Sequence, residues 1–294
     1  MTKKLTRRHA LHGMTLGSAA MLAWQSGQIS AEEAVEETLK VKGNIRQSVS
    51  YWCFSSIPLP EFSDICKKLG MVGVDLLSPG EQWETMAKKN MIATMGNVPG
   101  ASIPTGFNRI ENHDKLVAAY EHWIPEAAKA KVVPNLICFS GNRDGLDDEK
   151  GIENCAIGLK RVMPIAEKHG INVVMELLNS KDHKDYQADH TAWGAELAHR
   201  IGSERFKLLY DIYHMQRMEG DVINTIRKYH DVIGHYHTAG NPGRNEIDET
   251  QELNYPPIVK AILATGYKGI FAHEFIPKRD KIASLRQAVE ICDL

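Results

Sequence analysis

The chain has 294 residues, 43% hydrophobic and 24% charged, and a formal net charge of −2. These are ordinary values for a globular protein with a substantial core, and they exclude a low-complexity chain. The absence of a global basic bias gives no support for a nucleic-acid partner, and five cysteines without a CxxC pair argue against a disulfide framework or a zinc–thiolate site.

The first residues include Lys3-Lys4-Leu5-Thr6-Arg7-Arg8-His9-Ala10-Leu11, followed by an apolar run from Met14 to Trp24. Paired arginines before a mildly apolar stretch resemble a twin-arginine signal, so residues 1–31 are expected to direct export to the periplasm. The run is too short for a stable membrane span, which takes about 20 residues. Residues 32–43 read as a charged linker or short amphipathic helix, and the catalytic domain is expected over residues 44–294.

From Asn44 onward strand and helix patterns alternate. IRQSVSYWCF reads as the first strand, with a helix from about Pro60 to Leu69 that stops at Gly70. VGVDLL is the second strand, and Ser78-Pro79-Gly80-Glu81 starts the next helix. MIATMG is the third strand, followed by a loop over 97–108 and a helix over 111–130. VPNLICFSG is the fourth, with a helix over 148–169 that Pro164 is placed to kink. NVVMELL, FKLLYDIYH, VIGHYHTAG and GIFAHEF complete the set, with helices over 190–201, 220–229, 256–265 and 281–292. Eight strands alternating with eight helices predict a single (β/α)8 TIM barrel in the α/β class. No Gly-rich phosphate loop opens a helix, which disfavours an open doubly wound sheet.

The last four strands carry the chemistry. Each ends on a residue that can ligate a metal: Glu176, Asp211, His237 and Glu274. At the C-terminal mouth of a barrel these side chains converge, and three carboxylates with one imidazole suit a single divalent ion, Mg²⁺ or Mn²⁺, with Co²⁺ also possible. Alone, each strand-end carboxylate reads as a helix cap or ion-pair partner; filled together, the four positions favour ligation. His235 is expected to point away from His237; only if the strand stays regular does it share that face, as a donor behind the ligand. Trp52, Tyr51 and Phe107 are candidates for the pocket wall, with core packing an equal reading for Trp52, and His113, His122 and His230 are expected in solvent. The acidic stretch Asp144, Asp147, Asp148 and Glu149 reads as a helix start.

The run Tyr210-Asp211-Ile212-Tyr213-His214-Met215-Gln216-Arg217-Met218-Glu219-Gly220 is highly specific. With Glu176-Leu177-Leu178-Asn179, Ile233-Gly234-His235, Asn241-Pro242-x-Arg244 and Glu252-Leu253-Asn254-Tyr255, it makes residues 171–277 similar to the hydroxypyruvate isomerase family of xylose isomerase-like barrels. The resemblance implies Glu176, Asp211, His237 and Glu274 as metal ligands, with Glu176 and Glu274 sharing proton transfer. It also implies substrate contacts from His214 and Asp182, while Arg244 is placed to clamp a carboxylate or hydroxyl. The implied reaction is an aldose–ketose-type isomerisation of a small hydroxy-carbonyl compound, hydroxypyruvate to tartronate semialdehyde. Hydroxypyruvate isomerases carry Gln where His237 stands, whereas the sugar-epimerase relatives carry His, so a ketose 3-epimerase is the alternative. A non-catalytic ligand-binding barrel remains a third reading. An abasic-site endonuclease would need more ligands and a basic groove. Dimers are common among such relatives, which leaves a homodimer open.

Overall fold

The computed structural model describes residues 38–294, so the signal expected over residues 1–31 and the start of the linker lie outside the described residues. Eight parallel strands form the barrel wall: β1 Arg46–Val49, β2 Gly73–Val74, β3 Ile92–Ala93, β4 Asn135–Cys138, β5 Asn172–Glu176, β6 Phe206–Asp211, β7 Ile233–Thr238 and β8 Ile270–His273. Six of them hydrogen-bond in the order β1-β8-β7-β6-β5-β4. The short β2–β3 ladder joins this sheet at both sides through single bridges, Ser50 to Asp75 and Gly96 to Leu136, which closes the ring. The chain is a (β/α)8 TIM barrel. At Gly73 a Cβ would lie 2.0 Å from the Ile92 carbonyl oxygen, so only glycine lets these two strands approach.

Nine α-helices among the described residues pack outside the wall. In chain order they are α1 Leu59–Lys68, α2 Glu81–Lys89, α3 His113–Ala130, α4 Asp148–His169, α5 Thr191–Ile201, α6 Ile212–Met218, α7 Val222–Tyr229, α8 Tyr255–Ala264 and α9 Lys281–Cys292. None is long and apolar enough to cross a membrane. Helix α4 runs unbroken through Pro164, and Asp147 caps it by accepting from Lys150 N–H. Residues 38–43 form no helix; Leu39 donates its N–H to the Lys68 carbonyl and packs on the core with Val41.

Two strand readings change. Tyr51–Phe54 leave β1 as a 3-10 turn, and Ile212–His214 belong to α6 rather than β6. Their apolar character serves packing outside the ladder, which periodicity alone does not separate from strand. Three side chains also depart from expectation. Phe107 is buried against Tyr120 and His113, Tyr51 donates to the Ile57 carbonyl, and His113 is buried with Nε2 2.8 Å from the Phe107 carbonyl.

The main core lies between strands and helices, while Met95, Ile137, Val174 and Leu209 fill one side of the barrel interior. Tyr255, the first residue of α8, is buried and ties off β7: its phenol donates to the Ala239 carbonyl at 2.7 Å and accepts from Ala239 N–H at 3.0 Å. Tyr255→Phe strands both backbone groups without that partner. It is expected to lower stability by about 2–4 kcal/mol in urea unfolding, and a loss below about 1 kcal/mol would show that the phenol is dispensable.

Candidate metal centre and active site

Period-two alternation along each strand carries Glu176, Asp211, His237 and Glu274 to one place at the C-terminal mouth. One ligand atom from each lies within 4.8 Å of the others, and all four residues are buried. Donors bound at about 2.1 Å around one ion stand up to roughly 4 Å apart, so the set is close to ligating distances.

Asp211 combines two roles that compete in the sequence. Its Oδ1 caps α6 by accepting from Tyr213 N–H at 2.8 Å and His214 N–H at 3.1 Å. Its Oδ2 is buried without a hydrogen bond and faces the cluster. With the Arg244 guanidinium no nearer than 3.6 Å and no hydrogen bond, this buried oxygen is left short of partners, so the donor set fits a hard divalent ion.

His237 Nδ1 stands 3.0 Å from Glu274 Oε2 and 3.6 Å from Glu176 Oε1, while its Nε2 lies 2.8 Å from Asp75 Oδ2. Glu274 accepts from the Trp52 indole N–H at 2.7 Å and from Arg244 Nη2 at 2.5 Å. The Arg244 guanidinium also lies 3.6 Å from Asp211 Oδ2 and sits over the rings of Trp52 and Tyr213, 5.4 Å from each centroid. Its backbone is left-handed, φ 56°, and is held by Arg244 N–H to the Gly240 carbonyl and Ile276 N–H to the Arg244 carbonyl.

These surroundings separate the carboxyl groups. Burial pushes Asp211 up to about 7, with Arg244 opposing. Burial likewise raises Glu176, against the hydrogen bond from His237. Burial would raise Glu274 too, but the His237 and Arg244 charges hold it well below the usual carboxylate range. Two nearby acids of unlike proton affinity are what proton transfer within one site requires.

His214 and Asp182 lie at the side of this cluster. His214 Nδ1 accepts from Asn179 N–H at 3.2 Å, and burial, reinforced by Arg244, keeps the ring neutral. Its Nε2 therefore carries the proton and is left without a partner 3.6 Å from Asp211 Oδ2. Asp182 is not among the converging residues. It accepts from Tyr213 O–H at 2.7 Å and Asn179 Nδ2 at 3.0 Å and pairs with Arg217 at 3.4 Å, half-exposed on the rim. Trp52, 44% exposed, belongs to the mouth rather than the core. Sequence reasoning missed Asp75, Asn179 and Tyr213. Asp75 was findable, since it interrupts the apolar run VGVDLL as Glu176 interrupts NVVMELL.

A family model described as "Xylose isomerase-like TIM barrel" matches residues 55–292. The chain is 29% identical over 231 residues to hydroxypyruvate isomerase of Escherichia coli strain K12, covering 74% of this chain and 87% of that protein. It is 32% identical over 120 residues to 2-oxo-tetronate isomerase of Cupriavidus necator, covering 41% of this chain and 46% of that one, so it spans less than half of this second relative. A crystal structure from Brucella melitensis described as an AP endonuclease, family 2, superposes with a TM-score of 0.72 at 25% identity, covering 82% of this chain and 96% of that one.

Proposed function

The chain belongs to the xylose isomerase-like TIM-barrel family, and from that premise we propose a metal-dependent isomerase that moves a carbonyl between adjacent carbons of a small hydroxy-carbonyl acid. Isomerase activity follows from its curated relatives. The proposed reaction is hydroxypyruvate to tartronate semialdehyde, after the E. coli relative. The observation that carries the reading is the convergence of Glu176 and Glu274, with Asp211 and His237, on one buried point at the barrel mouth.

Glu176, Asp211, His237 and Glu274 would hold the ion, Mn²⁺ or Mg²⁺, with imidazole favouring Mn²⁺ or Co²⁺. When bound, the cation would supply positive charge that stabilises the negative charge of an ene-diolate. One of the two glutamates takes the proton from C3 of hydroxypyruvate, leaving the electron pair in the new C2–C3 double bond. A proton returns to C2 from the other glutamate, or from the same one if it shuttles, and the O3 proton transfers to O2, so atoms and charge balance. His214 Nε2–H, without a partner in the protein, is the donor for a substrate oxygen. Arg244 clamps the substrate carboxylate, and the Trp52 N–H keeps Glu274 Oε1 oriented while its ring shields the mouth. We further propose that residues 1–31 direct export by the twin-arginine route.

One observation favours a second reading. Position 237 is His, as in the sugar-epimerase relatives, which supports a ketose 3-epimerase using the same residues. Proton NMR in D₂O with Mn²⁺-loaded, then lightly chelated protein distinguishes the two. Deuterium in tartronate semialdehyde formed from hydroxypyruvate is the expected result; exchange confined to C3 of a ketose moves the assignment to epimerase, and exchange with neither substrate removes both.

A further inference from the structure

Beneath the four converging side chains, the barrel axis carries a polar group that the proposed chemistry leaves without a role. Asp75, just past β2, presents Oδ2 to His237 Nε2 at 2.8 Å and Oδ1 to His235 Nε2 at 3.2 Å. The Thr94 hydroxyl donates to Asp75 Oδ1, and Ser48 Oγ stands 3.0 Å from Thr94 Oγ1. All five residues are fully buried, where such barrels ordinarily pack branched apolar side chains.

The orientation of His237 gives this group a purpose. Its Nδ1 faces Glu176 and Glu274, and its Nε2 faces only Asp75. A neutral imidazole has one proton and one lone pair. With the proton on Nδ1, held by Glu274, the ring could not ligate a cation among the carboxylates; with it on Nε2, held by Asp75, the Nδ1 lone pair faces them. We propose that Asp75 is a positioning residue for the metal centre, fixing His237 as the Nε2–H tautomer so that Nδ1 is the ligating atom. Thr94 and His235, meeting the other carboxylate oxygen, hold the plane of Asp75 in place. The carboxylate also increases the basicity of the ring it accepts from.

Asp75, His235 and His237 are themselves close enough to hold an ion. A second ion there would require His237 to bridge as an imidazolate and would displace the Nε2 proton that Asp75 accepts, so the geometry favours one ion per chain. The inference rests on the metal-dependent reading above, and its test separates the two.

In ¹⁵N-labelled full-length chain loaded with Zn²⁺, long-range proton–nitrogen correlation is expected to show His237 protonated at Nε2 and metal-bound at Nδ1. Asp75→Asn is expected to weaken Mn²⁺ binding about 10- to 100-fold by calorimetry, as loss of such a partner does elsewhere. With Thr94 still donating to the Asn oxygen, the amide nitrogen is turned to His237 and pushes the proton to Nδ1. Binding of one Mn²⁺ by both chains with affinities within twofold, or a wild-type ring ligating through Nε2, overturns the role of Asp75 and leaves the metal reading standing. Failure of the wild-type chain to bind Mn²⁺ or Zn²⁺ overturns both. The NMR measurement needs no variant, so it decides the matter even if the substituted chain does not fold.

Discussion

Glu176→Gln and Glu274→Gln are each expected to cut turnover by about a hundred- to ten-thousand-fold, the range for removing a positioned acid or base. Both substitutions keep side-chain volume, and neither carboxylate caps a helix, so the chain should remain folded. The two variants should differ in what else they lose. Glu274 accepts from Trp52 and Arg244 and stands 3.0 Å from His237 Nδ1, and its replacement leaves Arg244 with Asp211 at 3.6 Å as its remaining ion-pair partner in the cluster. Glu176 meets only His237, at 3.6 Å. Both variants remove a carboxylate from the ligand set and should weaken Mn²⁺ binding, while Glu274→Gln should also release Arg244 and Trp52 and so lose substrate affinity. Steady-state kinetics beside Mn²⁺ titration checks this. If either variant retained turnover within tenfold of wild type, that residue would leave the mechanism.

Arg244→Met is expected to lower kcat/KM for a carboxylate substrate by about a hundred- to a thousand-fold, roughly 3–4 kcal/mol, typical of breaking a buried charge pair. The guanidinium is packed between Trp52 and Tyr213, and a methionine can occupy much of that space without its charge. For a neutral ketose the loss should be about tenfold, since only a hydroxyl contact goes. The ratio of the two losses therefore reports substrate class. Equal losses would mean that Arg244 supports Glu274 and Asp211 but does not clamp an acid group.

The fold was legible because buried parallel strands are short, apolar and regularly spaced, a pattern that survives without any relative for comparison. The residues at the strand ends were legible for a related reason: Glu176, Asp211, His237 and Glu274 interrupt apolar runs at their last positions, where hydrophobic burial gives no cause for charge. Element ends were less so. Tyr51–Phe54 and Ile212–His214 continue the apolar composition of β1 and β6 but turn out of the ladder, and only the cap from Asp211 marks the second boundary. Asp75 escaped notice because its partners are 160 and 162 positions away on β7, a contact that strand pattern does not encode. Trp52 was ambiguous for a different reason: an indole serves a core or a pocket wall equally well, and the decision lies in its N–H reaching Glu274.

The buried polar axis of Ser48, Thr94, Asp75 and His235 sets a limit on engineering this protein. Enzymes are commonly hardened against heat by exchanging interior polar side chains for aliphatic ones, and here that exchange offers an obvious volume to fill. The same atoms hold His237 in its working orientation, and they come from strands on opposite sides of the ring. A more heat-resistant variant made by that route would be a well-folded barrel with a disarmed mouth. Selection for activity and selection for durability therefore pull on the same few side chains, and improvements in durability must be sought in the outer layer of helices.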